Sequence, residues 1–178
     1  MRQRYIMTAF GQDRVGIVAD LTQIMFELGC NLEDSNMTRL SDEFALIFLF
    51  TFSGESAEEE LASACQSLER EKGISAFFRS IPPEKTYQRE ASPTHSIHME
   101  GIDKCGIVFK TSSYLARNQI NIISLSSQKR VSPQSGTGIY SIALEVEAPE
   151  SMTTQKLSHG LHKVGEELHM EIQLEEKA

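Results

Sequence analysis

Hydrophobic positions in the first eighty residues follow two alternating periods. Arg4 to Phe10 is a short β-rich run, and the segment after it spaces its apolar residues as one face of an amphipathic helix does. That face comprises Ile17, Val18, Leu21, Ile24, Met25 and Leu28. The pattern then predicts strands over 31–40 and 43–52, a helix over 56–72 and a last strand over 74–81. The predicted order is βαββαβ.

The same pattern occurs a second time, displaced by 90 residues. The run Gly-Gln-Asp-Arg-Val-Gly-Ile-Val begins at residue 11, and Gly-Ile-Asp-Lys-Cys-Gly-Ile-Val begins at residue 101 (101 − 11 = 90). At the same shift Asn31 falls on Asn121 and Arg39 on Lys129. A constant shift over this length indicates duplication. The second copy predicts strands over 94–100, 121–131, 138–147 and 169–174, with its second helix over 151–167.

Each copy is expected to form a ferredoxin-like sandwich, an α+β fold with two helices on one face of a four-stranded antiparallel sheet. The predicted domains are residues 1–83 and 94–178. Residues 84–93 between them follow Pro82 and Pro83, carry charges, end at Pro93 and suit a linker.

The third strand of the first copy is apolar on both faces. Phenylalanines and a leucine line one face, and Ala45, Ile47 and Leu49 make the other face apolar too. A strand of this kind is expected to be covered on both sides. The matching strand of the second copy carries Ser141, Glu145 and Glu147 instead. We therefore expect the open face of the first sheet to pack in a homodimer, with pairing inside one chain as the alternative.

Composition narrows the class of protein. The formal net charge is −8 and the pI is near 5.2, which counts against a nucleic-acid-binding surface. Three scattered cysteines make no disulfide framework and fit a reducing compartment. We find neither a signal peptide nor an apolar run of the roughly 20 residues that span a membrane. A cytoplasmic protein without membrane contact is expected.

The repeated Gly-x-Asp-x-x-Gly turn lies where a first strand meets a first helix. Its glycines let backbone approach another group closely, and the N-terminus of a helix attracts carboxylates. Asp13, or Asn31 nearby, could accept an ammonium, so the turn would suit a free amino acid. The alternative is purely structural: Asp13 and Asp103 cap the helices, and the glycines make the turn. Ser56 and Glu59 have the spacing of a capping box for the second helix.

Motifs of catalysis are absent from the sequence. The chain has no Gly-x-Ser-x-Gly elbow, no phosphate-binding loop and no His-Glu-x-x-His, and no cofactor is expected. His159 and His162 lie three apart on a predicted helix and could meet at a metal with His169, but surface histidines are the commoner case. Cys105 at a helix start could have a lowered pKa, although packing is favoured because Val15 holds the matching place.

The turn, the helix and the Asn-Leu or Asn-Ile strand that follows resemble the ACT domain over roughly residues 4–81 and 94–175. Two copies with nothing else attached resemble the stand-alone ACT regulators of glycine cleavage. The resemblance implies an amino-acid-binding regulatory module that pairs through its sheets, and a DNA-binding activator as protein partner. It also implies which residues contact the ligand. They are Gly11, Gln12, Asp13, Arg14, Gly16, Ile17 and Asn31, and in the second copy Gly101, Ile102, Asp103, Lys104, Gly106 and Asn121.

Three functions follow from these patterns. The first is a non-enzymatic sensor that binds an amino acid such as glycine at the turns and acts on transcription through protein contacts. The second is a ligand-independent adaptor whose turns are structural. The third is a regulatory subunit of a separate enzyme of amino-acid metabolism. An enzyme in its own right comes last, because no nucleophile–base pair can be assembled from the sequence.

Overall fold

The computed structural model describes residues 3–54, 56–82, 94–133 and 135–177. The chain divides into two compact units, Met1–Tyr87 and Gln88–Ala178, each with its own hydrophobic core. The predicted linker over 84–93 lies outside the described residues, so its conformation stays a prediction. In the part of the chain that is described, no helix is long and apolar enough to cross a membrane.

Unit 1 is a four-stranded antiparallel sheet with two helices. Strands β1 and β3 are central, and the strand order is β2-β3-β1-β4. The elements are β1 (Gln3–Gln12), α1 (Ile17–Glu27), β2 (Asn31–Leu40), β3 (Glu43–Phe52), α2 (Ala57–Ser67), a π-helical turn (Leu68–Lys72) and β4 (Ser75–Ile81).

Unit 2 repeats this arrangement with the order β6-β7-β5-β8. Its elements are β5 (His95–Ile102), α3 (Ile107–Arg117), β6 (Asn121–Val131), β7 (Gly138–Glu147), α4 (Thr154–Leu168) and β8 (Met170–Glu176). The predicted fold of two tandem ferredoxin-like βαββαβ units is confirmed.

The alternation of strand residues decides which side of each sheet the helices cover. In unit 1 the covered side carries Tyr5, Met7 and Ala9 of β1 and every second residue of β3 from Phe44 to Phe52, all buried. Tyr5 and Phe50 stack there with ring centroids 5.7 Å apart. Leu61 of α2 and Leu157 of α4 are both fully buried and mark the same position in the two units (157 − 61 = 96).

The two uncovered sheet faces differ in chemistry, as the sequence predicted. In unit 1 three large apolar side chains are exposed on this face: Phe10 at 45%, Ile47 at 43% and Phe77 at 65%. Phe10 and Phe77 stack on each other at 6.1 Å. The matching face of unit 2 is polar. Its strand positions include Ser96, His98, Glu100, Ser141, Glu145, Glu171 and Gln173.

The capping box predicted for the second helix does not form, although its first residue is placed as expected. Ser56 does occupy the N-cap position of α2, but its side chain makes no capping hydrogen bond. Its φ of −116° and ψ of 36° lie outside the extended region typical of a capping residue. In unit 2, by contrast, Thr153 is extended and its hydroxyl accepts a hydrogen bond from the Lys156 N–H at 3.3 Å.

Candidate functional site

The first glycine of each repeated turn is required by close packing of backbone. Gly11 is the last residue but one of β1, and a Cβ placed on it would lie 2.9 Å from the carbonyl oxygen of Gly73. A Cβ on Gly101 would lie 2.6 Å from the carbonyl oxygen of His169. Gly73 and His169 both have a left-handed backbone directly after the second helix of their unit. The glycine therefore lets the first strand meet the chain as it leaves that helix.

The second glycine begins the helix, which corrects the expectation that the aspartate caps it. Gly16 and Gly106 are the N-cap residues of α1 and α3, with φ of 88° and 91°, and neither helix has a side-chain cap. Only glycine adopts this left-handed conformation at little cost. No atom lies within 4 Å of a Cβ at either position. Of the first N–H groups of α1, that of Ile17 donates to the Arg14 carbonyl oxygen at 3.3 Å. A helix N-terminus without a side-chain cap keeps further N–H donors for water or an anion.

The aspartate of each turn is paired with a cation of the second strand. The Asp13 carboxylate accepts a hydrogen bond from the Arg39 guanidinium at 3.3 Å, and Asp103 lies 2.6 Å from the Lys129 ammonium. Each aspartate N–H also donates to a backbone carbonyl at the start of the third strand of its unit. Asp13 donates to Asp42 O, directly before β3, and Asp103 donates to Gly138 O, the first residue of β7. Arg39 and Lys129 were not among the predicted site residues. Both are cations at matching positions of the 90-residue repeat, and this pattern could have identified them from the sequence.

Asp20 holds two further cations at the start of α1. Its carboxylate accepts hydrogen bonds from Arg14 at 2.5 Å and from Lys72 at 3.1 Å. These bonds, that of Arg14 first, lower the pKa of Asp20 below its ordinary value of 3.8. Arg14 is therefore engaged within unit 1. The carboxylate also places a negative charge in the first turn of α1, where an anionic ligand would approach.

Unit 2 has the opposite charge at this place. Lys110 occupies the position of Asp20 (110 − 20 = 90) and forms an ion pair with Glu167. The first turn of α3 has no acidic residue. Lys104 and Cys105 of the turn are both exposed. The first turn of the helix therefore carries a cation in unit 2 and an anion in unit 1, each offset by its ion-pair partners.

Some predicted contacts are not brought together within a unit. Asn31 pairs with Thr51 of β3, whereas Gly11 pairs with Phe44, seven residues away along the same strand. At roughly 3.3 Å per residue this separates Asn31 from the turn by about 23 Å. Asn121 and Gly101 are separated in the same way along β7. The side chain of Ile17 is buried in the core, while Gln12 and Ile102 are exposed beside the turns.

Histidine and cysteine chemistry is not assembled in the described ranges. None of their His, Cys, Asp and Glu side chains form a group of three that could hold a metal. His162 Nδ1 lies 2.8 Å from the Ser158 carbonyl oxygen of its own helix. All three cysteines are free. Burial raises the pKa of the Cys65 thiol. Burial, with a smaller contribution from the Glu60 charge, raises the pKa of the Cys30 thiol to about 11.

We predict that alanine at the two glycines of the unit 2 turn lowers the free energy of unfolding by different amounts. Gly101→Ala should lower the free energy of unfolding by about 1–3 kcal/mol, because the new methyl group meets backbone that cannot turn aside. Gly106→Ala should cost about 1 kcal/mol from its left-handed φ alone. Urea unfolding measures both, with Gly138→Ala as control, since its nearest neighbour is the flexible end of Lys129. Equal stability of Gly101→Ala and wild type would contradict the packing role.

We predict that the stabilising effect of Asp20 is lost in acid. Because the folded-state pKa of Asp20 is depressed, its contribution is present above the unfolded pKa and disappears as pH falls through the folded pKa. Asp20→Asn should therefore be less stable than wild type near neutral pH, and the difference should close below about pH 4. Urea unfolding across this range, with Asp34→Asn as an exposed control, measures it. A difference that persisted unchanged into acid would contradict the ion pairing.

Comparison with known proteins places this fold and turn in one family. The model of the ACT domain matches residues 3–79. The chain is 44% identical over 46 residues to the glycine cleavage system transcriptional repressor of Escherichia coli, a match to 26% of this chain and 24% of the repressor. The chain thus matches about a quarter of the length of that relative. A UPF0237 protein of Methanopyrus kandleri is 36% identical over 70 residues, which are 36% of this chain and 78% of that protein.

Two solved structures share the architecture over the whole chain. A protein of unknown function from Galdieria sulphuraria superposes with a TM-score of 0.80 at 25% identity and covers 100% of both chains. A candidate glycine cleavage system transcriptional repressor superposes with a TM-score of 0.71 at 21% identity, covering 98% of this chain and 97% of the other. Unit 1 belongs to the ACT domain family by the match over residues 3–79, and unit 2 repeats its βαββαβ fold and its glycine-bounded turn.

Proposed function

We propose that this chain is a non-enzymatic regulatory protein that senses a free amino acid at its two strand–helix turns and transmits binding through protein contacts. The observation that carries the proposal is the partly exposed aspartate–cation pair beside a helix N-terminus without a side-chain cap in both units. Free amino acids carry a carboxylate and an ammonium at short separation. The turn offers a partner to each.

The ligand would exchange partners with the existing ion pair. Its carboxylate would accept hydrogen bonds from the first N–H groups of the helix and from the Arg39 or Lys129 side chain. Its ammonium would donate to Asp13 or Asp103. The Arg39 and Lys129 side chains are each more than half exposed, so the exchange needs little desolvation. The proposed ligand-contacting set is the turn, Gly11–Gly16 and Gly101–Gly106, with Arg39 and Lys129 added; Asn31 and Asn121 lie too far away within one unit.

The electrostatics favour unit 2 as the tighter site. Arg14 and Lys72 together outweigh the charge of Asp20, and Glu167 offsets that of Lys110, so these groups alone do not favour unit 2. Lys104 does favour it. Arg14 is held by Asp20, whereas Lys104 at the matching position is exposed and forms no ion pair within the described residues, so it can turn to a ligand carboxylate. We infer that unit 2 fills at lower ligand concentration than unit 1.

Glycine is the proposed ligand among the amino acids, and regulation of transcription is the proposed output. The name of the Escherichia coli relative associates that protein with glycine cleavage and with repression. The net charge of −8 favours action through a protein partner, such as a DNA-binding activator, over direct contact with DNA.

The proposal includes a homodimer formed through the open face of sheet 1, the side of the unit 1 sheet that the helices leave uncovered. Sheet 2 is the sheet of unit 2. Phe10, Ile47 and Phe77 expose apolar surface that soluble monomers rarely leave in one patch. The polar open face of sheet 2 is a poor cover for it, because its carboxylates would lose water without gaining partners. The same face of a second copy is the matching cover.

One observation favours a second function, that of a ligand-independent adaptor. Asp13 and Asp103 already have cationic partners, and their N–H groups link the turn to the start of the third strand of each unit. In that case the turns are structural only. Ligand binding and stability distinguish the two functions, since the adaptor predicts loss of stability without any bound amino acid.

We predict saturable glycine binding that depends on the turn aspartates. Isothermal calorimetry against the common amino acids should give heat with glycine, and Asp103→Ala should weaken binding roughly 10- to 100-fold, the size of a lost charged hydrogen bond. Asp13→Ala should affect a weaker second site. Glu59→Ala, on the outer face of α2, is the control. No heat and no thermal shift with any amino acid, together with unfolding of Asp13→Ala, would support the adaptor instead.

We predict that a charge on the open face of sheet 1 breaks the dimer. Ile47→Lys should weaken self-association at least tenfold in sedimentation velocity, because the interface would bury an unpaired ammonium. Ala143→Lys is the matched control, since Ala143 holds the same place on sheet 2 (143 − 47 = 96), and it should leave assembly unchanged. A wild-type chain that sediments as a monomer, or one that Ala143→Lys dissociates equally, would contradict this interface.

A further inference from the structure

A groove of about 470 Å³ runs between the two helices of unit 1. Its floor is apolar and formed by Ile24, Leu28 and Ala64, all half-buried. Its rim is acidic and formed by Glu27, Glu60 and Glu71. The groove lies toward the C-terminal half of α1, whereas the turn precedes the N-terminus of that helix. It is therefore a separate surface from the proposed ligand site.

Unit 2 closes the same place with a side chain. Tyr114 stands where unit 1 has Ile24 (114 − 24 = 90), and Gly160 stands where it has Ala64 (160 − 64 = 96). A Cβ on Gly160 would lie 1.9 Å from the Tyr114 hydroxyl oxygen, so the tyrosine occupies the space that a larger residue would need. The fold thus tolerates a tyrosine between its two helices, and unit 1 has the smaller Ile24 at that position.

The charges around the two positions differ. At the same shifts Glu27 corresponds to Arg117 and Glu60 to Lys156, while Glu71 corresponds to Glu167, so two of the three acidic rim positions of unit 1 are basic in unit 2. The Glu27 carboxylate accepts a hydrogen bond from neutral Gln23. Arg70 pairs with Glu71 at 2.9 Å, but both side chains are more than half exposed and can exchange. Three carboxylates therefore face the groove against one guanidinium.

We propose that this acidic groove of unit 1 docks a short basic amphipathic segment of a partner protein. Apolar side chains of the segment would cover Ile24, Leu28 and Ala64, and its lysines or arginines would reach the glutamates of the rim. An apolar floor with a charged rim is the arrangement by which grooves bind amphipathic helices. Anions and nucleic acid are repelled by the same rim. The inference does not depend on amino-acid binding at the turns.

The test uses the full chain and a fluorescein-labelled peptide about four helical turns long, built from leucine and lysine at amphipathic spacing. Fluorescence anisotropy should show saturable binding that weakens as salt rises, because the rim charges are screened. The same peptide with glutamate for lysine should not bind. Substituting Glu27, Glu60 or Glu71 by glutamine should weaken binding about threefold each, the size of a partly exposed ion pair.

A variant that copies unit 2 provides the decisive comparison. Ile24→Tyr combined with Ala64→Gly should fill the groove as Tyr114 and Gly160 do and reduce peptide binding at least tenfold. Ala64→Gly alone carries the same helix-weakening glycine but keeps the groove open, so it should bind as wild type does. Circular dichroism confirms that both variants fold.

Three results would overturn the proposal. The first is equal affinity of the leucine–lysine peptide for the double variant and for Ala64→Gly. The second is equal affinity of wild type for the lysine and glutamate peptides. The third is absence of peptide binding together with salt-sensitive self-association that Lys156→Gln abolishes, which would assign the groove to the basic helix face of a second copy.

Discussion

Antiparallel pairing of the first and third strands is the constraint on which each unit depends. Because β1 and β3 pair without a break from Gln3 to Gln12, every second residue of both strands faces the helices in step. The first strand must also pass the chain that leaves the second helix, and this approach requires glycine at residues 11 and 101. The position of the turn, and so of the exposed helix N-terminus, follows from that packing.

Comparison of the two units separates residues that the fold requires in both from surfaces that differ between them. The glycines, the turn aspartate and its cationic partner recur in both units. The uncovered sheet face, the first turn of the first helix and the interhelical groove differ in polarity, charge or shape. Those three surfaces do not form the hydrophobic core, so they are free to differ between the units. The protein therefore consists of two copies of one fold whose surfaces differ at these three places.

Much of the fold could be predicted from the sequence, because apolar periodicity reports which face of an element is buried. β2, β3, β6 and β7 have the predicted bounds. The contacts of the turn could not be predicted in the same way. Asp13 was expected to cap α1, but capping depends on local φ and ψ, and the left-handed Gly16 takes that position. Asn31 follows the helix in sequence and yet lies at the far end of the sheet, since pairing with β3 carries it away from the turn.

Chemical-shift mapping of backbone amides during a glycine titration tests the central claim most directly. The account predicts saturable shifts at Gly106, Ile107 and Val108, with smaller shifts around Gly16 at higher glycine concentration. These are the N–H groups at the starts of α3 and α1. Absence of any saturable shift, or shifts confined to residues far from both turns, would contradict a carboxylate-binding role for the repeated turn.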